Sequence, residues 1–222
     1  MTLTIEQKQE IGRRVREENS GPKELQICEL YGLTQIGGTR TKVDGRHPDG
    51  TNWSIKNAKS KSTQVHLTSQ TRFIEDFSLS AECQEFVHKF FGNPHFRTLG
   101  VPRGRYNLSQ IDPLAVEKFK EFLEAKKEEI IHYFISGKFD INYIVYNRKC
   151  LTTAEVLEQV RTARWVPGTH GTTFLLQSPS DKTLFHIQMK GSGNKKKMGY
   201  HGVLCHIHEN LFSGKDQSWL KI

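Results

Sequence analysis

The chain has 222 residues, of which 36% are hydrophobic and 25% are charged, and its net charge is +8 at pH 7. This size fits a single domain with one core, and no stretch reaches the ~18–20 consecutive apolar residues of a membrane span. The positive charge favours a polyanionic partner. The four cysteines are scattered without a CxxC pair, and the charged N-terminal segment lacks the apolar core of a signal peptide. We therefore expect free thiols and a cytoplasmic location.

The first half of the chain is predicted to be mainly helical, with one strand-like segment. Sparse apolar stripes with glycine and proline boundaries predict helices over 4–19, 23–31, 63–77 and 80–91. The glycine-rich segment 34–59 is predicted to form strands.

The second half begins with the clearest helical pattern, predicted over 112–136, with Asp112 as N-cap and Pro113 in the first turn. Its apolar face comprises Leu114, Phe119, Phe122, Leu123, Ile130, Ile131 and Phe134. A buried strand is predicted over 141–147 and a short helix over 152–162. Three strand patterns then follow: TTFLLQS, TLFHIQMK and GVLCHIH. The fold class is therefore predicted to be α+β.

The segment HPDGT, residues 47–51, has the composition of a three-residue hairpin loop. Its proline sets φ for the second position of a type I turn, Asp49 suits the third, and Gly50 tolerates the left-handed conformation of a bulge. In this loop type His47 pairs with Thr51.

This loop fixes the register of the two strands and places Asp44 opposite Ser54. Because side chains alternate along a strand, Asp44, Ser54 and Lys56 then share one face of the hairpin. A two-residue loop would instead place Asp44 opposite Ile55, and Pro48 favours the first register.

A carboxylate beside a lysine on adjacent strands is typical of metal-dependent phosphodiester hydrolysis. Asp44 can bind Mg²⁺, which prefers oxygen ligands, and the metal activates water and polarises the phosphate. Lys56 can stabilise the negative charge that develops on the phosphorus. A surface hairpin with an unrelated aspartate and lysine has the same spacing, so the pattern alone leaves that alternative open. Asp49 is interpreted as a turn residue and not as a ligand.

The nuclease pattern, written D…(D/E)xK, has a second carboxylate where this chain has Ser54. Metal affinity should therefore be lower unless another acid contributes. Glu29 on the preceding predicted helix is the preferred candidate, with Glu18 behind it, although both residue positions also fit a solvated helix surface.

The segments GGTRTKVDGR and SIKNAKSKSTQV resemble the active-site region of type II restriction endonucleases of the PD-(D/E)xK superfamily. Within it, the chain is most similar to the small four-base cutters, the MspI-like and GCGC-cutting group. The C-terminal segment FHIQMKGSGNKKKMGYHGVLCHIHENLF is similar to a basic segment of the form IQxKGG…FxI…LF in that group. The group tolerates an amide in place of the second acid, so Ser54 is a further variation at that position.

This resemblance implies a restriction-endonuclease-like core, with a mixed central sheet flanked by helices and a β-rich basic C-terminal part. It implies a single endonuclease domain over 1–222. The catalytic core would lie in 1–100, with its hairpin over 40–59, and helices and DNA-recognition strands would lie in 101–222.

The resemblance also implies the activity and its residues: sequence-specific hydrolysis of duplex DNA at a short palindromic site with Mg²⁺. Asp44 would be the metal-binding acid, the Ile55 backbone carbonyl a further metal ligand, Ser54 the degenerate acid position and Lys56 the catalytic lysine. A DNA methyltransferase encoded nearby would be a functional partner and not a subunit. The enzyme would act as a monomer or homodimer in a bacterial or archaeal cytoplasm.

Two basic segments are predicted to contact DNA. The loop 190–197 combines lysines with small residues, so it can approach phosphates closely and release counterions, although such a run also fits a solvated hairpin tip. Gln188 and Lys190 share one strand face, and both residue types read purines in the major groove. After Lys56, a second basic run is predicted beside the scissile phosphate at the start of a helix. The predicted DNA-binding residues are Lys59, Lys61, Gln64, Gln188, Lys190, Ser192, Asn194, Lys195, Lys196 and Lys197.

His206 and His208 are predicted to share one face of the last strand, with Cys205 on the other. A zinc site needs about four converging nitrogen or sulfur ligands. Only two converge in this pattern, so a polar strand face is the preferred interpretation.

Two other functions stay open at this point. A non-catalytic sequence-specific DNA-binding protein would have the same basic segments, but it would not need the pairing of Asp44 with Lys56. A repair or structure-specific nuclease could use the same core.

Overall fold

The computed structural model describes residues 21–36, 42–58, 60–90, 112–168, 173–190 and 202–214, and these residues form helices around two five-stranded sheets. The elements in chain order are α1 (Gly21–Leu30), β1 (Thr34–Gln35), β2 (Gly45–Arg46), β3 (Asn52–Lys56), β4 (Ser62–Ser69), α2 (Gln70–Asp76), α3 (Ala81–Phe90), α4 (Pro113–Ala125), α5 (Lys127–Ser136), β5 (Ile141–Tyr146), β6 (Lys149–Thr152), α6 (Thr153–Thr162), β7 (Arg164–Pro167), β8 (Thr173–Gln177), β9 (Thr183–Lys190), β10 (Gly202–His208) and a 3₁₀ turn (Glu209–Phe212). The predicted helix over 4–19 lies outside the described residues.

The first sheet is mixed and has the strand order β1-β2-β3-β5-β6. Its hairpin strands pair antiparallel, whereas β3 and β5 pair parallel, with Ser54 beside Ile144 and Lys56 beside Tyr146. β5 is the buried strand expected over 141–147. The predicted α+β class with a mixed sheet and a β-rich C-terminal part is confirmed.

The second sheet is antiparallel throughout, in the order β4-β10-β9-β8-β7. One of its faces belongs to the main core, since Phe185 and Ile187 on β9 and Val203, Cys205 and Ile207 on β10 are all fully buried. Period-two alternation then directs the intervening residues of both strands to the other face.

Side-chain caps begin three helices, and one of them is the N-cap predicted at Asp112. Asp112 accepts a hydrogen bond from the Ala115 backbone N–H at 3.1 Å, and Ser80 accepts one from Cys83 at 3.3 Å. Thr152 and Glu155 form a reciprocal capping box at the start of α6.

Three expectations about these elements are wrong. Residues 63–77 are not one helix, because 62–69 form strand β4 against β10 and only Gln70–Asp76 are helical. The long helix is interrupted at Lys126, where residues on both sides bind the segment around β7: Lys127 donates to the Ala163 carbonyl at 2.7 Å, and Glu124 accepts from the Trp165 N–H. Leu114 is 70% exposed and does not belong to the apolar face.

Among the helices of the described residues, none combines the length and the apolar character that a bilayer crossing requires.

Candidate active site

The hairpin loop forms as its composition predicts. The His47 N–H donates to the Thr51 carbonyl at 3.0 Å, and the Gly50 N–H donates to the His47 carbonyl at 2.9 Å. Gly50 has φ +91°, which glycine adopts without strain. The Asp49 carboxylate accepts bonds from the backbone N–H and the hydroxyl of Thr51 at 2.9 and 2.7 Å, so Asp49 is a turn residue here.

The predicted register is confirmed at two pairs, with Arg46 opposite Asn52 and Gly45 opposite Trp53. The predicted pairing of Asp44 with Ser54 does not follow, because the Asp44 N–H donates to the Trp53 carbonyl at 2.9 Å, but the Asp44 side chain still reaches β3. This register brings three groups of β3 to one oxygen of Asp44. Its Oδ2 accepts hydrogen bonds from the Ile55 N–H at 2.6 Å, the Ser54 hydroxyl at 3.1 Å and the Lys56 ammonium at 3.1 Å. The three residues that sequence placed on one face therefore do meet.

Two further oxygen atoms beside this contact, Oδ1 of Asp44 and the carbonyl oxygen of Ile55, are of types that bind a hard cation. No described residue donates a hydrogen bond to the second oxygen of Asp44, Oδ1. The β2–β3 pairing ends at Gly45 and Trp53, and the Ile55 N–H points beyond it toward Asp44. Since the N–H and C=O of one strand residue point the same way, the Ile55 carbonyl also faces this edge. A carboxylate oxygen and a backbone carbonyl are ligand types that Mg²⁺ accepts.

The site is held from behind by a small hydrophobic cluster between α1 and the mixed sheet. Ile27 and Cys28 of α1 pack with Trp53, Ile55 and other buried residues of β3, β5 and β6. Helix and hairpin approach closely at Gly45, where an added Cβ would lie 3.3 Å from Cys28 Sγ of α1 and 3.0 Å from Leu33 Cδ1, just after the helix. Glycine at this position therefore sets the distance between α1 and the residue next to Asp44.

Glu24 is a further acid close enough to Asp44 to affect its electrostatics, and the sequence interpretation did not include it. It is half-buried on α1, one turn before Ile27 and Cys28, and so lies on the helix face that packs against the hairpin. Burial, followed by repulsion from Asp44, raises the pKa of Glu24, while the nearby Lys56 acts in the opposite direction. The buried pair at 27 and 28 was the available signal, because position 24 precedes it by one helical turn.

Glu29 and Glu18 were the acids expected to replace the missing carboxylate. Glu29 is exposed on α1, on the solvent side of the helix. Glu18 lies outside the described residues.

The chain immediately after Lys56 is tied to the end of β5. The Asn147 side chain accepts from the Ala58 N–H and donates to the Ala58 carbonyl, both at 2.9 Å, which extends the sheet beyond Lys56 by a side-chain amide. The Tyr146 hydroxyl donates to the Ser60 carbonyl at 2.9 Å. Lys61 is exposed, and Gln64 lies within β4 and not at the start of a helix, because the helix expected there is a strand.

The other predicted DNA-binding residues follow β9. Gln188 is exposed on β9, and Lys190 is the last residue of that strand. Lys59, Ser192, Asn194, Lys195, Lys196 and Lys197 lie outside the described residues.

A third histidine, His186 of β9, joins the two expected on β10. Its Nδ1 lies 2.7 Å from Nε2 of His208, and its ring stacks on that of His206 with centroids 4.4 Å apart. Cys205 is on the opposite, buried face, as expected. Within the part of the chain that the structure describes, no three His, Cys, Asp or Glu residues are grouped in a way that could hold a metal ion.

Of three comparisons with known proteins, one finds a match. No family model matches the chain, and no curated protein matches it in sequence. A search of solved structures finds the crystal structure of the restriction endonuclease MspI in complex with its cognate DNA, with a TM-score of 0.45, 11% sequence identity, and coverage of 87% of this chain and 81% of that chain. The function proposed below is argued from the geometry of the hairpin.

Proposed function

We propose that this protein is a Mg²⁺-dependent, sequence-specific endonuclease of the type II restriction class, which hydrolyses phosphodiester bonds of duplex DNA at a short palindromic site. The observation that carries the proposal is the convergence of Ser54, Ile55 and Lys56 on Asp44, on a hairpin whose loop and register are fixed by local chemistry. A protein that only bound DNA would have no use for this arrangement.

Each residue has a role that its position supports. Asp44 and the Ile55 carbonyl would hold Mg²⁺, with Glu24 as the acid that compensates for Ser54. Mg²⁺ bound there would supply Lewis-acid stabilisation of the charge on the scissile phosphate. The Ser54 hydroxyl and the Ile55 N–H orient the Asp44 carboxylate through Oδ2, and no described residue donates a hydrogen bond to Oδ1.

Lys56 is the group that acts on the phosphate. Its side chain is about four-fifths shielded from solvent, and its ammonium pairs with Asp44 at 3.1 Å. Partial burial strengthens its attraction to a phosphate oxyanion, because the local dielectric is below that of water. Lys56 would orient the attacking water and stabilise negative charge as the P–O bond breaks, leaving a 5′-phosphate.

The proposal is tested by incubating purified protein with unmethylated DNA from several sources. We expect discrete fragments with Mg²⁺ and none with EDTA, and we expect Asp44→Asn and Lys56→Ala to lower the cleavage rate by several orders of magnitude while DNA binding is kept. Arg164→Ala, an exposed position on β7, is the matched control and should cut like the wild type.

Three results would contradict the proposal. A random smear would favour a non-specific or structure-directed nuclease. Sequence-specific binding without cleavage would favour a non-catalytic DNA-binding protein. Near wild-type cleavage by either hairpin variant would remove Asp44 and Lys56 from the active site.

A further inference from the structure

Three neighbouring strands of the antiparallel sheet present a polar row on the face opposite the core. Gln64 of β4 is paired with His206 of β10, and His206 is paired with His186 of β9. Directly paired residues project from the same side of a sheet. Gln188 and His208 lie two residues from members of this row and therefore share its face.

The row is accessible, unlike the other side of the same strands. Gln64 and Gln188 are exposed and the three histidines are partly exposed, although Leu184 and Leu204 on the same face are buried. On the other side of the strands Phe185, Ile187 and Ile207 are fully buried. These polar side chains therefore do not serve the packing of the core.

The three histidines are in mutual contact, and burial favours the neutral form of His186 and His208. The contact of His186 Nδ1 with His208 Nε2 at 2.7 Å and the stacking of His186 on His206 restrict the rings. Burial lowers the pKa of His186 to about 4, with further lowering by His206 and His208, and burial also lowers the pKa of His208. A neutral imidazole offers one hydrogen-bond donor and one acceptor.

The described side chains of this face are uncharged, and lysines precede and follow its strands in the sequence. Among the residues of β4, β9 and β10 whose side chains the structure describes, this face includes no Asp, Glu, Lys or Arg. Lys61 is exposed just before β4, and the sequence continues from Lys190 into Lys195, Lys196 and Lys197. Neutral donors and acceptors suit the edges of bases, whereas lysines suit the surrounding phosphates.

The spacing of the row fits the major groove. Adjacent strands lie about 4.8 Å apart, so Gln64 and His186 are separated by roughly 10 Å, against a major-groove width of about 12 Å. Glutamine amides can bond bidentately to the N6 and N7 atoms of adenine in that groove.

We propose that the reading face, defined as Gln64, His186, Gln188, His206 and His208, contacts base edges in the major groove, and that Gln64 and Gln188 determine sequence specificity. This inference rests on the proposed function for its substrate, duplex DNA. It assigns Gln64 to base recognition and not to the scissile phosphate, and it adds the three histidines to the DNA-contacting surface.

The first test selects preferred duplexes from a random-sequence DNA library, with the Lys56→Ala variant in EDTA so that nothing is cut. We expect one enriched sequence, and we expect Gln64→Ala or Gln188→Ala in that background to lose at least about tenfold preference at one or two base pairs. Gln26→Ala, exposed on α1, is the matched control and should select the unaltered sequence. Thermal melting confirms that each variant is folded.

The second test uses the selected duplex with 7-deazapurines, which lack the N7 acceptor in the major groove. Replacing the purine that Gln64 contacts should weaken binding by the Lys56→Ala protein about tenfold and should not weaken binding by the Gln64→Ala variant further. Unaltered selection by both glutamine variants, equal loss on all sequences, or no enrichment at all would overturn the proposed reading face.

These outcomes are distinguishable from failure of the nuclease proposal. If the wild type does not cleave with Mg²⁺ but the glutamine variants relax selection, the reading face stands and the catalytic proposal fails. If cleavage occurs and its sequence preference is unchanged by both glutamine variants, only the reading face is wrong.

Discussion

Asp44 Oδ2 accepts three hydrogen bonds from consecutive residues of one strand, and the three donors differ in kind: a hydroxyl, a backbone N–H and an ammonium group. The Ile55 N–H is a backbone group and is present whatever the side chain. Ser54 and Lys56 are the two contributions that substitution can remove. The serine therefore acts on the geometry of the carboxylate, whereas the lysine also carries charge.

Ser54→Ala should weaken metal binding without abolishing cleavage. The Ser54 side chain is 3% exposed and its hydroxyl donates to Asp44, so its loss removes one buried hydrogen bond to a carboxylate, which costs about 1–3 kcal/mol. A Mg²⁺ titration of the cleavage rate should show a lower maximum or a higher midpoint. Ser180→Ala, an exposed position, is the control, and an unchanged titration in Ser54→Ala would show that the hydroxyl only fills space.

Glu24→Gln and Glu29→Gln form a matched pair on the same helix. If Glu24 contributes to the metal site, its amide variant should bind Mn²⁺ more weakly by about tenfold, whereas the exposed Glu29 variant should bind like the wild type. Isothermal titration with Mn²⁺ measures this directly without reference to cleavage. The reverse order of the two variants would restore Glu29 as the compensating acid.

At the scale of elements, the reliable sequence signals were those that act over a few residues. The HPDGT loop fixed the register of β2 and β3 because turn residues specify φ locally, and Asp112 and Thr152 marked helix starts by their caps. β4 was assigned as helix because its partner β10 lies far along the chain, and pairing with it overrides local propensity. The interruption between α4 and α5 at Lys126 also depends on contacts with the distant segment around β7, so the local sequence pattern does not predict it.

The packing of β4 against α5 should make stability depend on pH through His66. Its ring contacts those of Tyr133 and Phe134, and burial, aided by Lys42 and Arg72, lowers the pKa of His66 to about 4. Between pH 6.5 and 4 the unfolded chain therefore binds a proton that the folded chain does not. The titration of His66 therefore does not change the free energy of unfolding above pH 6.5, and it lowers that free energy as the pH falls from 6.5 to 4.

Urea unfolding at pH 7.5 and 4.5 measures this effect. The wild type should lose about 1–3 kcal/mol more than His66→Gln across that interval, since one pKa unit corresponds to about 1.4 kcal/mol. His132→Gln, exposed on α5, should follow the wild type. Parallel profiles for wild type and His66→Gln would mean that His66 does not titrate with unfolding.

For the whole molecule, the net charge of +8 would act mainly on the affinity and rate of the proposed DNA binding. Each phosphate neutralised by a lysine contributes about 0.9 to the slope of log affinity against log salt concentration. The triple variant Lys195→Ala, Lys196→Ala, Lys197→Ala should therefore reduce that slope by about 2–3 in fluorescence anisotropy titrations. Lys118→Ala on α4 should leave it unchanged, and an unaltered slope in the triple variant would place those lysines away from DNA.

Only five residues separate Lys56, at the end of β3 in the mixed sheet, from Ser62, at the start of β4 in the antiparallel sheet. This connection is bonded to the rest of the fold on both sides: Asn147 binds Ala58, and the Lys61 carbonyl accepts from the Glu209 N–H at 2.9 Å. Gln64 and Lys56 are therefore parts of one short, restrained stretch of backbone. A mismatched base that displaces β4 should shift the lysine as well, so an incorrect site would be cut slowly even when it is bound.

Inserting two glycines after Ser60 would lengthen the segment between β3 and β4 and make it more flexible. We expect the variant to melt within a few degrees of the wild type and to bind the selected duplex normally, but to lose much of the difference in cleavage rate between that duplex and a single-mismatch duplex. An unchanged rate ratio would show that fidelity is set by binding alone. A reduced rate ratio would show that the short backbone connection from Gln64 to Lys56 couples base recognition to cleavage. The strand that contacts the base, β4, would then also determine the position of the Lys56 ammonium at the scissile phosphate.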